Sequence, residues 1–403
     1  MARLEEFARY SEEDQRLTRT YLTPVQRAAG EQLIAWMKEA GMRAGFDGVG
    51  NVIGRYEGVQ PGLPALMIGS HYDTVRNAGK YDGALGILSA IACVEALHRA
   101  GERLPFAIEV AGFAEEEGVR FGATLIGSRA VAGNFDYGVL AKTDAAGVSV
   151  AAALRDFGLD PDAIGAVARK RGEVLAYLEI HIEQGPVLLS EGLALGIVTA
   201  IAGASRFQIR IEGQAGHAGT VPMRLRHDAA AAAAEALLFV ERRCRSDERL
   251  VGTVGKLQVP NGAVNVIPGV AEFSLDLRSG DDAARRAALT EVLAEFDAIG
   301  ARRGVTFNIV RTHDAGACTC APWLMEQLAQ SLRGLGIPER RLPSGAGHDA
   351  MALAALTDVA MLFVRCGNDG VSHHPDETMT VADAELSTLA LFDFIRRFRP
   401  PQA

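Results

Sequence analysis

The stretch Gly69-Ser70-His71-Tyr72-Asp73-Thr74-Val75-Arg76-Asn77-Ala78-Gly79-Lys80-Tyr81-Asp82-Gly83 constrains this chain more than any other. The apolar run Ala65-Leu66-Met67-Ile68 before it reads as a buried strand, and Ala84 to Leu97 after it has helical periodicity. A loop between such a strand and helix lies at the carboxyl end of a strand in an α/β sheet, where folds of this class hold their ligands. His71 and Asp82 are both residue types that bind metals, and Asp73 is a carboxylate two residues on, able to hold the His71 imidazole.

The remaining elements place this loop within a two-domain chain, as 403 residues lead one to expect. Residues 11 to 45 read as largely helical, Gly48 to Gly54 as a turn into a strand at Asn51 to Tyr56, and Phe106 to Phe113 as a strand ending in Glu115-Glu116-Glu117-Gly118. Ala176 to Ile182 reads as a strand, with Glu179, His181 and Glu183 at alternating positions and therefore on one face. From 206 the pattern changes. Strand 206–211, helix 229–244, strands 251–259 and 270–277, helix 281–301 and strand 305–311 give the order β-α-β-β-α-β of a ferredoxin-like unit. Helix 322–335, strand 359–364 and a closing helix from 383 to 398 then resume the α/β order. The expected fold is α/β, a mixed central sheet flanked by helices over 1–205 and 319–403, interrupted by an inserted α+β domain over 206–318.

The net charge of −9 is spread without long runs of one sign, which argues against a nucleic-acid partner. No run of eighteen apolar residues is present, and charges at Arg3, Glu5, Glu6 and Arg9 replace an apolar signal core, so no membrane partner and a cytoplasmic location are expected. Five cysteines without CxxC spacing read as reduced, mostly buried thiols rather than a zinc-thiolate site.

His71, Asp73, Asp82, Glu116, Glu117, His181 and His373 all fall at or just after the ends of expected strands. Two neighbouring divalent cations need nitrogen ligands for each ion, a carboxylate to bridge them and a water to ionise, and this set supplies those parts. Adjacent Glu116 and Glu117 suit a division of labour, one binding metal and the other taking a proton. Taken singly, each histidine could be a core or surface residue and the acidic triplet a solvated run. Together, beside glycines in loops, they point to a site.

The stretches GSHYDTVRNAGKYDG, AEEEGVRF, EIHIEQGP, GQAGHAGTVPM, PNGAVNVIPG, LDLR, SGAGHDAM and SHHPDE, in that order over nearly the whole chain, resemble the hydantoinase/carbamoylase amidases of the dinuclear zinc peptidase superfamily. The resemblance implies two divalent ions, Zn²⁺ or Mn²⁺, held by His71, Asp82 as the bridge, Glu117, His181 opposite Glu117, and His373 beside it. It implies Glu116 as general base and Asp73 as partner of His71. Gln184, His217, Asn265, Arg278 and His348 match substrate contacts, with Arg278 clamping a carboxylate and His217 stabilising the developing oxyanion. It further implies that the inserted domain makes a homodimer and brings some contacts across it. Where the family usually has a small residue between the last ligand and the proline, this chain has His374.

The implied substrate is a small anionic ureido compound. Leu17 to Pro24 and Asp73 to Gly83 look most like allantoate amidohydrolases, so allantoate is preferred to an N-carbamoyl-L-amino acid or a β-ureido acid, and the pocket around Arg278 is expected to be polar. Two other classes stay open, a metal-dependent aminopeptidase or dipeptidase and a non-catalytic scaffold. His181 in EIHIEQGP argues against the first, because such peptidases usually place an acidic ligand there.

Overall fold

The computed structural model describes residues 1–401. The chain forms two compact units, the first comprising 1–199, 320–342 and 346–403, the second 200–319 with 343–345. Strands β1 (Arg43–Phe46), β2 (Val52–Tyr56), β3 (Ala65–His71), β4 (Ala107–Phe113), β5 (Val174–Ile182) and β6 (Leu195–Ile201) precede the second unit's β7 (Gly203–Glu212). There follow β8 (Gly216–His217), β9 (Leu250–Thr253), β10 (Leu257–Gln258), β11 (Val266–Ile267), β12 (Val270–Ser279), β13 (Thr306–Ala315), β14 (Cys318–Thr319), β15 (Arg341–Ser344) and β16 (Val359–Val364).

In the first unit the sheet runs β1-β2-β4-β3-β5-β16-β6 and is mixed. Its four middle strands, β4, β3, β5 and β16, are parallel, whereas β2 and β6 pair antiparallel at the two sides. Every residue of β3, β4 and β16 is buried, as expected of parallel strands covered on both faces. Helix Ala84–Arg99 covers β3 and β5 and packs against helix Val381–Arg397. Parallel strands end on the same side of a sheet. His71, the segment after Phe113, and His181 are therefore delivered to one edge of the sheet by backbone direction alone.

The expected long helix over 11–45 is confined to Pro24–Glu39, followed by β1. Pro24 sits in the first turn and Thr23 caps it, accepting from Gln26 N–H, so the helix has a sharp start. Residues 17–22 instead form a strap along the loop after β3. Ala78 N–H donates to Leu17 O (2.7 Å), Thr74 N–H to Arg19 O (3.0 Å) and Asn77 N–H to Thr18 Oγ1 (3.0 Å). Thr18 through Leu22 are buried, and the Arg19 guanidinium lies over the Phe7 ring and donates to the carbonyls of Phe7, Tyr10 and Tyr72.

The second unit is an antiparallel sheet in the order β10-β12-β7-β13, with β9 also on β12. With helices Ala229–Arg245 and Asp282–Arg303 in the connections, this is the ferredoxin-like arrangement. Phe207, Ile209 and Ile211 of β7 and Phe273, Leu275 and Leu277 of β12 point into a core with Val240, Val292, Phe296 and Ile299 of the helices. The alternate residues Arg206, Gln208 and Arg210 are exposed on the other face. The single strand expected at 251–259 is broken, β9 ending at Thr253 and β10 starting at Leu257 around Gly255. This unit begins at Ala200 rather than 206 because β7 starts at Gly203 and β14 pairs Thr319 and Cys318 with Ala200 and Ile201. In the first unit the chain leaves at Thr199 and returns at Cys320, whose N–H donates to Thr199 O (3.0 Å). Among the described residues, no helix is long and apolar enough to cross a membrane.

Candidate active site

At the carboxyl ends of the parallel strands, Asp82 stands between two sets of side chains. Its Oδ1 lies 3.3 Å from His71 Nε2 and 3.1 Å from His181 Nε2. Its Oδ2 lies 3.2 Å from His373 Nε2, which is 3.5 Å from Glu117 Oε1. Two donor groups result, His71–Asp82–His181 and Asp82–Glu117–His373, sharing one carboxylate. Gly83 makes the approach possible. Its φ of 65° opens the turn into helix Ala84–Arg99, and a Cβ there would collide with the His71 carbonyl.

Whether cations fit is decided by hydrogen-bond bookkeeping. His181 Nδ1 is 2.9 Å from Ile182 O and His71 Nδ1 is 3.1 Å from Asp73 O. A carbonyl only accepts, so both Nδ1 atoms carry the proton and a neutral ring turns its Nε2 lone pair toward Asp82 Oδ1. Acceptors then face one another, and both Asp82 Oδ1 and His181 Nε2 are buried without a hydrogen-bond partner. A divalent cation between them removes the conflict, and nitrogen with carboxylate oxygen is a donor set suited to zinc or manganese.

Asp73 does more than hold the His71 imidazole. Its carboxylate is 3.5 Å from His71 Nδ1, while Oδ1 accepts from Glu116 N–H (3.0 Å) and Oδ2 from Glu117 N–H (3.1 Å). It thereby ties the loop after β4 to the loop after β3. Asn51 supports the same segment from beneath, accepting from Ala114 N–H (3.0 Å) and donating to Gly127 O (3.1 Å).

Glu116 lies within reach of His71 and Glu117. Enclosure in the site drives its carboxyl well above the ordinary range; His71 opposes this, and Glu117 and Asp349 add to it. Burial and then Asp82 push Glu117 to about 7. The bond to Asp82 raises His373 to about 9. His348 is buried with its ring edge-on to His181 at 4.5 Å between centroids, and burial holds it well below its usual pKa. A further grouping, Glu179–His181–His348, is already engaged in support: Glu179 accepts from Ser70 Oγ (2.9 Å) and Ala350 N–H (3.1 Å).

Gln184 belongs to the same cluster, its Nε2 donating to Asp82 Oδ2 (3.0 Å). Glu183, expected on the same face as Glu179 and His181, lies beyond the end of β5, where its carboxylate caps the next helix by accepting from Val187 and Leu188 N–H. The sequence reading passed over Ser372 and Glu377, although both lie within the SHHPDE stretch. Ser372 Oγ donates to Glu377 Oε2 (2.8 Å) and lies 3.4 Å from Asp82 Oδ2.

His217, Asn265 and Arg278 belong to the second unit. His217 is exposed in β8, and Gly219 N–H donates to its Nδ1 (3.1 Å), which leaves Nε2 as the protonated nitrogen of the neutral ring and a hydrogen-bond donor. Asn265 O accepts from Ala218 N–H (2.9 Å). Arg278 is half-buried and held in a plane: Nε and Nη2 donate to the two oxygens of Asp276 (3.0 and 2.9 Å), and Nη1 to Gly345 O (2.7 Å). Of its five N–H bonds, one on each terminal nitrogen remains.

The description "Peptidase family M20/M25/M40" matches residues 67–397. The chain is 41% identical over 386 residues to an N-carbamoyl-L-amino-acid amidohydrolase of a Pseudomonas species, covering 95% of this chain and 93% of that protein. It is 38% identical over 426 residues to allantoate deiminase 1 of Glycine max, covering 98% and 88%. Among solved structures, an amidase of the hydantoinase/carbamoylase family from Burkholderia multivorans matches with a TM-score of 0.92 at 30% identity, covering 99% of this chain and 97% of that one. The chain therefore belongs to Peptidase family M20/M25/M40 and is a hydrolase of its hydantoinase/carbamoylase amidase branch.

Proposed function

We propose that this chain cleaves the C–N bond of a ureido group in a small carboxylate-bearing substrate, with allantoate as the first candidate, using two divalent cations. The observation that carries the proposal is the buried acceptor face of Asp82 and His181, which a divalent cation would complete. One ion is assigned to His71, Asp82 and His181, the other to Asp82, Glu117 and His373. When bound, zinc or manganese supplies the positive charge that acidifies a water and polarises the scissile carbonyl.

The chain's own groups do the rest. Glu116 takes the proton of the attacking water and returns it to the departing nitrogen, a role suited to a carboxyl whose affinity for a proton is raised by burial. His217, with Nε2–H free to donate, stabilises the developing oxyanion. Arg278 holds the substrate carboxylate through its two remaining N–H bonds, with Gln184, Asn265 and His348 as further polar contacts. Cleavage of allantoate in this way yields ureidoglycine and a carbamate that falls apart to ammonia and carbon dioxide.

The cleft beside Arg278 is mixed rather than wholly polar as expected, with Arg206, Gln208, Asp276 and Thr312 alongside Phe207, Val251 and Leu275, and it admits a small polar substrate such as allantoate or one with an apolar side chain. Leu17 to Pro24 speaks less directly for allantoate, because Thr18 to Leu22 are buried in the strap and act on the loop after β3. An N-carbamoyl-L-amino acid is the second reading, favoured by the relative at 41% identity. Exposed Met223, Leu225 and Val264 of the second unit support a homodimer through that unit.

The test is ammonia release by metal-stripped protein reloaded with Mn²⁺ or Zn²⁺, offered allantoate, N-carbamoyl-L-amino acids and a dipeptide. Allantoate turnover supports the first reading, and carbamoyl amino acid turnover the second. Dipeptide cleavage, or turnover without metal, overturns both.

A further inference from the structure

We infer that Glu377 is a positioning residue for Asp82, and through it for the cation assigned to Asp82, Glu117 and His373; the inference rests on the two-cation reading above. Glu377 is buried, at 3% exposure, yet its partners are not cationic. Oε1 accepts from Tyr81 N–H (2.9 Å) and Asp82 N–H (3.2 Å), and Oε2 from Ser372 Oγ (2.8 Å). One carboxylate thus fixes the backbone of Asp82 and also the hydroxyl that lies 3.4 Å from Asp82 Oδ2.

The contacts join loops almost three hundred residues apart in sequence, one carrying Asp82 and the other His373, whose backbone is held at φ 56°. Gly79 is shaped to the same purpose. A Cβ at 79 would occupy the space of the Glu377 carboxyl group, so the loop before Asp82 closes over Glu377 only because that residue is glycine. A buried carboxylate beside another carboxylate, without a cationic side chain to offset it, is costly in a protein that binds no cation. Next to a pair of divalent ions the same charge is favourable. It is Oδ2 of Asp82, on the side of Glu117 and His373, that Ser372 approaches. The effect of Glu377 therefore falls on that cation rather than on the one between His71 and His181.

The experiment is a calorimetric titration of the stripped full-length protein with Mn²⁺, for wild type, Glu377→Ala, Glu377→Gln and Gly79→Ala, with the melting temperature of each stripped form measured alongside. Wild type is expected to take two equivalents. Glu377→Ala should keep one at wild-type affinity and bind the other about 10- to 100-fold more weakly, the usual cost of losing a residue that orients a ligand. Gly79→Ala, which displaces the carboxyl without removing its charge, should show the same selective loss, and Glu377→Gln a smaller one. If Glu377→Ala does not fold, the other two variants carry the test. Uptake of two equivalents at wild-type affinity by the folded variants overturns the inference. So does a lowered melting temperature with an unchanged titration, which would mark Glu377 as a structural staple only. If wild type itself takes fewer than two equivalents, the two-cation reading fails, whatever the variants do.

Discussion

Replacing Asp73 with asparagine should separate the two tasks its carboxylate serves. In the native protein its two oxygens accept from the N–H groups of Glu116 and Glu117, at 3.0 and 3.1 Å. An amide keeps one oxygen and puts an NH₂ group in place of the other, so one backbone donor is left facing a donor. Losing a hydrogen bond to a charged acceptor costs about 1.5–3 kcal/mol, and at about 1.4 kcal/mol per factor of ten that is about 10- to 100-fold. His71 is spared, since its Nδ1 has the Asp73 carbonyl at 3.1 Å irrespective of the side chain. The loss should therefore appear in kcat, through misplaced Glu116, and in the affinity for the cation that Glu117 helps hold. Affinity for the cation between His71 and His181 should be retained. The assays are steady-state ammonia release at saturating Mn²⁺ and a metal titration of the stripped variant. Wild-type kcat together with wild-type binding of both ions would refute the reasoning, and equal weakening of both ions would return Asp73 to the role of partner for His71.

Glu116→Gln should lower kcat at least about 100-fold while two cations still bind, because the proton acceptor is lost but no ligand is; metal content and turnover measured on one preparation check it. Arg278→Lys should raise KM for a carboxylate substrate about 10- to 100-fold with a smaller change in kcat, since an ammonium cannot reproduce the planar fork that Asp276 and Gly345 hold; equal KM for the carboxylate and its neutral amide in wild type would contradict it. Burial raises Asp47, which accepts from Val49 and Asn51 N–H, to about 6 from an ordinary 3.8. The folded state then binds that proton more tightly than the unfolded chain between those values. Wild-type stability relative to Asp47→Asn should be highest below about 4, fall as pH rises through about 6, and level off above; urea titrations across that range would show a flat difference if the idea is wrong.

The parts of the fold that were legible in the sequence are those governed by local period. The buried run at 65–68 and the exact strand at 359–364 show in the apolar pattern, and the alternation in β5 puts Glu179 and His181 inward together. Glu183 broke that pattern because a helix N-terminus nearby offered its carboxylate two N–H groups, a tertiary demand that periodicity does not carry. The strap at 17–22 was misread as helix for a similar reason, its backbone being satisfied by residues 74–78 rather than by its own next turn. Metal-type residues stand out by chemistry, so the cluster around Asp82 was readable. Its supports were less so: Ser372, Glu377 and the amide-binding role of Asp73 depend on loops that meet only in three dimensions.

The hydrogen bond from Cys320 N–H to Thr199 O makes residues 200–319 a loop of the first unit, topologically speaking. Closing a flexible loop of that length would cost only about 2 kcal/mol more than closing one of ten residues, because the entropy grows with the logarithm of length. Here even that cost is largely offset in advance. The insertion pairs its own first and last residues, Ala200 with Thr319 and Ile201 with Cys318, and so presents its two ends already side by side. Between His181 and His373 the first unit therefore has only its own segments to arrange, up to Thr199 and from Cys320 on, as if the insertion were absent.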